Sequence, residues 1–198
     1  MRVHAAALAL LLGCSASGSP RVLPDLRSGD VVLQTSTSPQ SRAIQLATGS
    51  PYSHVGIVEV APRGTYVIEA IGRVSRTPWM AWRARGDGGR VTILRPRGVD
   101  DRQISRVLSQ ARAFLGRRYD ARFGWSDERI YCSELVYKAY LRGAGLRAGR
   151  LQKVRELELG AIQKQVMERY GRIPWELELV TPASIAESSD FTEIYSDF

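Results

Sequence analysis

A chain of 198 residues with 44% hydrophobic content is long enough for one domain with a proper core, and it carries no internal repeat or low-complexity stretch. Its net charge of +8 comes from 25 arginines against 3 lysines. The arginines are scattered, with no basic helix face interleaved with aromatics, which argues against nucleic acid and leaves either anionic lipid or wall polymer as a partner, or a GC-rich coding bias that writes Arg for Lys.

Met1-Arg2-Val3-His4, the apolar run from Ala5 to Leu12 and the small-residue ending read as an export signal, too short to span a bilayer as a mature helix. Leu11-Leu12-Gly13-Cys14 also resembles a bacterial lipobox, in which Cys14 is the lipid attachment site. Residues 1–20 are therefore expected to be signal and tether, and 21–198 the functional domain, exported to the cell envelope and anchored to a membrane by lipid. Without Cys14, Cys132 has no disulfide partner in the mature chain. One His and one Cys with no CxxC or HxxxH spacing make a zinc site improbable, and no metal or cofactor is expected.

Along the chain, Ser28-Gly29-Asp30 is a turn and Val31–Gln34 begins a strand. The polar break Ser36 to Pro39 starts a helix through Ser41 to Ala47, stopped by Thr48-Gly49-Ser50-Pro51. His54–Val60 and Thr65–Ile71 are strands joined by a hairpin loop, and Arg90–Leu94 is another strand. Asp100-Asp101 caps a helix with Ile104, Val107, Leu108, Ala111 and Leu115 on one face, ended by Gly116. A second helix starts near Cys132 and stops at Gly143, and Leu157–Tyr170 is a third. Thr181-Pro182 opens a short helical turn. Hairpin strands precede clustered helices, so the class is α+β.

After the signal, His54 and Cys132 are the sole imidazole and thiol. Singly, such residues are most often buried structural groups. Their contexts nevertheless agree. Cys132 falls at a helix N-terminus, where the dipole and free N–H groups favour a thiolate and an oxyanion. His54 opens a strand, at a sheet edge. Glu69 is a carboxylate in an apolar strand and needs a partner. Closing the hairpin on Val60 and Thr65 pairs Gly56 with Glu69, which puts Glu69 on the face of His54 at about 7–8 Å between backbones. A slip of one residue reverses this. Glu59 has the opposite parity and points away, and Glu134 reads as a dipole partner in the first turn of its helix. Tyr119, Phe123 and Trp125, in the loop before Cys132, either line a substrate cleft or cover the open end of the sheet. Ser53 and Tyr131 immediately precede His54 and Cys132, and Ser133 follows the cysteine.

The run from Gln40-Ser41 through Tyr52-Ser53-His54-Val55-Gly56, Val67-Ile68-Glu69-Ala70, Tyr119-Asp120 and Tyr131-Cys132-Ser133-Glu134, with Val180-Thr181-Pro182, resembles the YiiX/YaeF-type permuted papain-like hydrolases of the NlpC-type superfamily. The resemblance spans roughly Leu26 to Tyr195. It implies a circularly permuted papain-like fold, with a small antiparallel barrel-like sheet on a nucleophile-bearing helix. It implies Cys132 as nucleophile, His54 as base and Glu69 as the group that orients His54, with Tyr119, Phe123, Trp125, Ser53 and Tyr131 around the substrate. The expected activity is cysteine amidase or peptidase chemistry on an amide- or acyl-containing substrate, peptide or lipid. A lipid acyltransferase or lipase of the same fold is the first alternative, and a non-catalytic envelope binding module the second.

Overall fold

The hairpin of β2 (His54–Ala61) and β3 (Gly64–Ile71) is the centre of the molecule. In the computed structural model, which describes residues 22–198, these strands pair antiparallel with Gly56 opposite Glu69, the register expected from the sequence. The turn is tighter than expected: Ala61 and Gly64 also pair, leaving Pro62 and Arg63 at the tip. The signal, tether and Cys14 lie outside the described residues.

β1 (Val31–Gln34) pairs with β2 on one side and with β5 (Thr92–Pro96) on the other, and β10 (Phe191–Ser196) closes that edge. On the far side β4 (Arg73–Pro78) pairs with β3, followed by two-residue β6 (Arg118–Tyr119) and β7 (Arg129–Ile130). The eight strands run β10-β5-β1-β2-β3-β4-β6-β7, antiparallel except between the last two. A separate small ladder joins β8 (Gln152–Lys153) to β9 (Glu178–Leu179).

The alternating strand pattern divides the core. Leu33, Val55, Ile57 and Ile68 face α3 (Asp101–Ala113) and α4 (Cys132–Ala144). Val32, Val58, Val67 and Ile93 face α2 (Trp79–Ala84), through Trp79 and Trp82. The carboxylate of Asp100 accepts from the Gln103 N–H at 2.7 Å and the Gln103 amide oxygen accepts back from the Asp100 N–H, a capping box that fixes where α3 starts. α1 (Pro39–Thr48) starts inside the polar break expected to open it, capped by Ser38.

Three helix ends differ from expectation. α3 stops at Ala113, so Leu115 lies beyond it and Gly116 does not end it. Gly143 does not end α4; Gly145, in the left-handed region, does. Gly143 instead allows a close approach of α3, since a Cβ there would stand 2.4 Å from the Val107 nitrogen. The helix expected over 157–170 is confined to α5 (Gln163–Tyr170). The Glu158 N–H is donated to the Ala47 carbonyl at the end of α1, so the chain before α5 is spent on packing across elements. α6 (Pro182–Ala186) opens at Thr181 as expected.

Candidate active site

Cys132 is the first residue of α4 and His54 the first of β2, and both are buried. His54 lies where the strand begins, so its ring can reach round the end of the sheet towards the helix side. Cys132 acts on its ring as one of the neighbours that raise the imidazole. The other side of the ring is fixed by Glu69, with His54 Nε2 2.5 Å from Glu69 Oε2. That leaves Nδ1 as the nitrogen towards the sulfur.

Glu69 is fully buried, so its charge needs several partners. Arg85, capping the C-terminus of α2, donates to Oε2 at 2.5 Å, and Thr77 of β4 donates to Oε1 at 2.6 Å. Burial pushes the carboxyl up, but the bonds from His54, Arg85 and Thr77 outweigh it and hold it at about 2. Burial likewise pushes His54 down, and the bonds to Cys132 and Glu69 outweigh it, raising the imidazole to about 9. At neutral pH the pair is therefore a carboxylate and an imidazolium. Arg85 and Thr77 escaped the sequence reading. Arg85 is one of many scattered arginines, and Thr77 becomes legible once β4 is recognised, because its register puts Ser75 opposite Glu69 and Thr77 one diagonal step along the same face.

Ser53 is buried and bridges β2 to the start of α1, hydrogen-bonding the Ser41 hydroxyl and accepting from the Ser36 N–H. The Tyr131 hydroxyl accepts from the Val180 N–H, and the Ser133 hydroxyl donates to the Val180 carbonyl. Together they clamp Val180 against the start of α4. The Tyr119 hydroxyl accepts from Gln40 Nε2 at 2.9 Å, and the Cys132 charge helps to raise its ionisation after burial. Glu134 is more than a dipole partner: it is buried, accepts from the Tyr131 N–H and pairs with Lys138 at 2.7 Å, and burial pushes it up to about 7. Glu59 does point away, to Arg76 and Arg112.

An apolar cavity of about 120 Å³ opens beside Cys132. Of the five residues expected around a substrate, Phe123 is on its wall, while Ser53, Tyr119, Trp125 and Tyr131 are not. Trp125 is turned out, edge-on to Tyr137 and beneath the Lys138 ammonium. The Asp120 carboxylate explains the split by accepting from the Arg122 and Gly124 N–H groups. That turn forces Phe123 to a φ of 52° and directs its ring inward, edge-on to Tyr131.

In chain order His54 and Glu69 precede Cys132, whereas an ordinary papain-like enzyme has its cysteine first, so fold and site together define a permuted papain-like hydrolase. Residues 25–195 match the family model described as permuted papain-like amidase enzyme, YaeF/YiiX, and the chain belongs to that family. It is thus a cysteine hydrolase of the amidase and peptidase type. The uncharacterized protein YiiX of Escherichia coli strain K12 is 38% identical over 176 residues, 87% of each chain. The crystal structure of metalloprotein yiiX from Escherichia coli O157:H7 superposes with a TM-score of 0.83 at 39% identity, over 87% of this chain and 98% of that one.

Proposed function

We propose that this hydrolase cleaves an amide bond of a cell-envelope substrate through a thioester on Cys132, with His54 as base and acid and Glu69 as the positioning carboxylate. The observation that carries this is Cys132 at the start of α4 acting on the His54 imidazole, whose Nε2 is held by Glu69 at 2.5 Å. An imidazolium beside the sulfur favours the thiolate. The thiolate attacks the amide carbon, and N–H groups in the first turn of α4 face the developing oxyanion. The His54 imidazolium gives its proton to the departing nitrogen as the carbon–nitrogen bond breaks. Water then attacks the thioester, His54 takes its proton, and the carbon–sulfur bond breaks to return the thiolate beside the imidazolium and release a carboxylic acid. Arg85 and Thr77 keep Glu69 charged and aimed. A neighbour is described as a metalloprotein. Among the described residues here no group of three or more His, Cys, Asp or Glu could hold a metal ion.

Export and a lipid anchor at Cys14 complete the reading, resting on the leader sequence. Growth with labelled fatty acid is expected to tag the wild type and not Cys14→Ser. For the chemistry, an acyl probe should label wild type and spare Cys132→Ala. Transfer of the acyl group to an added amine in preference to water would replace hydrolysis with acyl transfer. Equal labelling of wild type and Cys132→Ala would remove the nucleophile from the scheme.

A further inference from the structure

We propose that one end of the sheet is a docking surface for an anionic phospholipid bilayer, built on a ladder of three arginines. Arg73 of β4 stands directly opposite Arg118 of β6, and Arg118 stands beside Arg129 of β7. Neighbouring members are about 5 Å apart at the backbone. All three are exposed. They share one face of the sheet, because the positions next to them, Val74, Tyr119 and Ile130, pack into the core on the side of α3 and α4. On the ladder's own face α2 packs over Val58 and Val67, while Ile71 and the arginines stand in solvent.

Three like charges in register cost the fold, since like charges on neighbouring strands repel. Carboxylates of the chain do not neutralise them. Glu69, on the same face of β3, is taken by His54 and Arg85, and Asp127, in the loop before β7, by Lys138 and Arg142. Arg73 Nη1 donates to the Gly116 carbonyl, which fixes one end of the ladder. Phosphodiesters laid along the ladder would end the repulsion and match the planar guanidinium donors.

Two aliphatic side chains flank the arginines and select a bilayer over a dissolved polyanion. Ile71 stands opposite Arg73 across the β3–β4 turn, and Leu115 precedes the segment whose backbone pairs with Gly72 and Val74. They are 44% and 43% exposed. A polymer in water offers them nothing to bury in, whereas the boundary between headgroups and acyl chains does. Arg129 begins the strand that leads into Cys132, so a bilayer docked here lies against the element that carries the chain to the nucleophile. The contact is independent of the chemistry at Cys132 and needs no lipid anchor.

The test is co-sedimentation of the full chain carrying Cys14→Ser, so that no acyl anchor contributes. The vesicles are phosphatidylcholine alone, or phosphatidylcholine and phosphatidylglycerol in equal parts. Binding to the neutral vesicles reports the apolar run Ala5 to Leu12 and is subtracted. The mixed vesicles should be bound more tightly, and the preference should fall as salt is raised. Arg73→Gln, Arg118→Gln and Arg129→Gln together should lower that affinity by about 10²-fold, about fivefold for each arginine. The melting temperature of this triple variant should not fall, because the repulsion is gone. A charge-matched triple away from the ladder, Arg102→Gln, Arg147→Gln and Arg172→Gln, should lose far less. Ile71→Ser with Leu115→Ser should lose about tenfold and keep the salt dependence. Should the ladder triple not fold, the loss of about fivefold in Arg118→Gln decides. Equal losses in the two triples would mean attraction by net charge alone and overturn the proposal, as would a wild type with no preference for the mixed vesicles. Retention of soluble poly(glycerol phosphate) through the ladder, with vesicle binding unmoved by the two serines, would assign the surface to an anionic polymer and overturn the bilayer. Labelling of Cys132 by an acyl probe without vesicles should be the same in every variant. Vesicle binding as expected with no such labelling in any of them supports this surface and overturns only the acyl-enzyme reading.

Discussion

His54 Nε2 and Glu69 Oε2 meet at 2.5 Å because the residue that stands directly opposite Glu69 is Gly56. The contact is diagonal across the hairpin, and a side chain at position 56 would occupy the same face. A Cβ there would lie 2.4 Å from Val67 Cγ1 and 3.4 Å from Glu69 Cβ.

Gly56→Ala is therefore expected to push β3 aside and cost about 1–3 kcal/mol, as overpacking does. Urea denaturation measures the loss. Amide turnover should fall with it, because the displaced atoms include those that hold Glu69. Wild-type stability and turnover in this variant would show that the hairpin yields without disturbing the pair.

Glu69 and Arg85 should separate by the size of their effects. Glu69→Gln keeps the shape but removes the charge, and kcat should drop by about 10²-fold, the low end for a group that governs acid–base catalysis. Arg85→Met leaves Glu69 charged but less supported, so its loss should be smaller. Its own signature is the acid limb of the kcat profile, which should move to higher pH as the Glu69 carboxyl loses one of the bonds that hold it low. An unmoved acid limb in Arg85→Met would reduce that ion pair to a structural contact.

Much of this site was legible before any coordinates. The parity of Glu69 with His54 follows from a short hairpin loop, and the helix start at Cys132 from the apolar spacing that follows it. The support of Glu69 was not legible. β4 reads as Arg-Val-Ser-Arg-Thr-Pro, with Val74 its one fully apolar position, and such a polar strand forms because β3 offers it a ladder. Trp79 and Trp82 belong to a six-residue helix whose place is set by packing on the sheet, beyond the reach of local propensity. The cavity is assembled from α1, the loop before Cys132 and the segment around α5, which are distant in sequence and which periodicity does not connect.

Gly143 tests packing away from the chemistry. Because a Cβ would meet the backbone of Val107, Gly143→Ala forces α3 and α4 apart, at a cost of about 1–3 kcal/mol. The helix propensity gain of about 1 kcal/mol at an interior position offsets only part of this. A variant with raised Tm would mean that the helices can separate freely.

Stability should depend on pH in two opposite ways through the His54–Glu69 pair. The Glu69 carboxyl is depressed from 4.5 to about 2, so its contribution is complete above 4.5 and is lost as pH falls through about 2. The His54 imidazole is raised from 6.5 to about 9, so its contribution is complete below 6.5 and is lost as pH rises through about 9. The difference in Tm between wild type and Glu69→Gln should accordingly be largest between about 4.5 and 6.5 and shrink on both sides. A difference independent of pH would mean that the pair does not titrate as a unit.

The coupling between sulfur and imidazole can be read directly from alkylation of Cys132, the single thiol among the described residues. With His54 protonated up to about 9, the imidazolium stands beside the sulfur throughout the neutral range and favours its thiolate. Iodoacetamide reacts with the thiolate. His54→Ala removes both the proton acceptor and the positive neighbour, so labelling at neutral pH should slow. Glu69→Gln should slow it less, because it weakens the imidazolium without deleting it. Both variants should approach the wild-type rate at high pH, where the thiol ionises unaided. That convergence separates lost ionisation from lost access. Cys132→Ser should remain folded, take no label and turn over no amide, since a hydroxyl is far less acidic than a thiol. Superimposable pH–rate curves for wild type and His54→Ala would mean that these two side chains are not coupled, and Cys132 would then be a buried structural cysteine at the end of a helix.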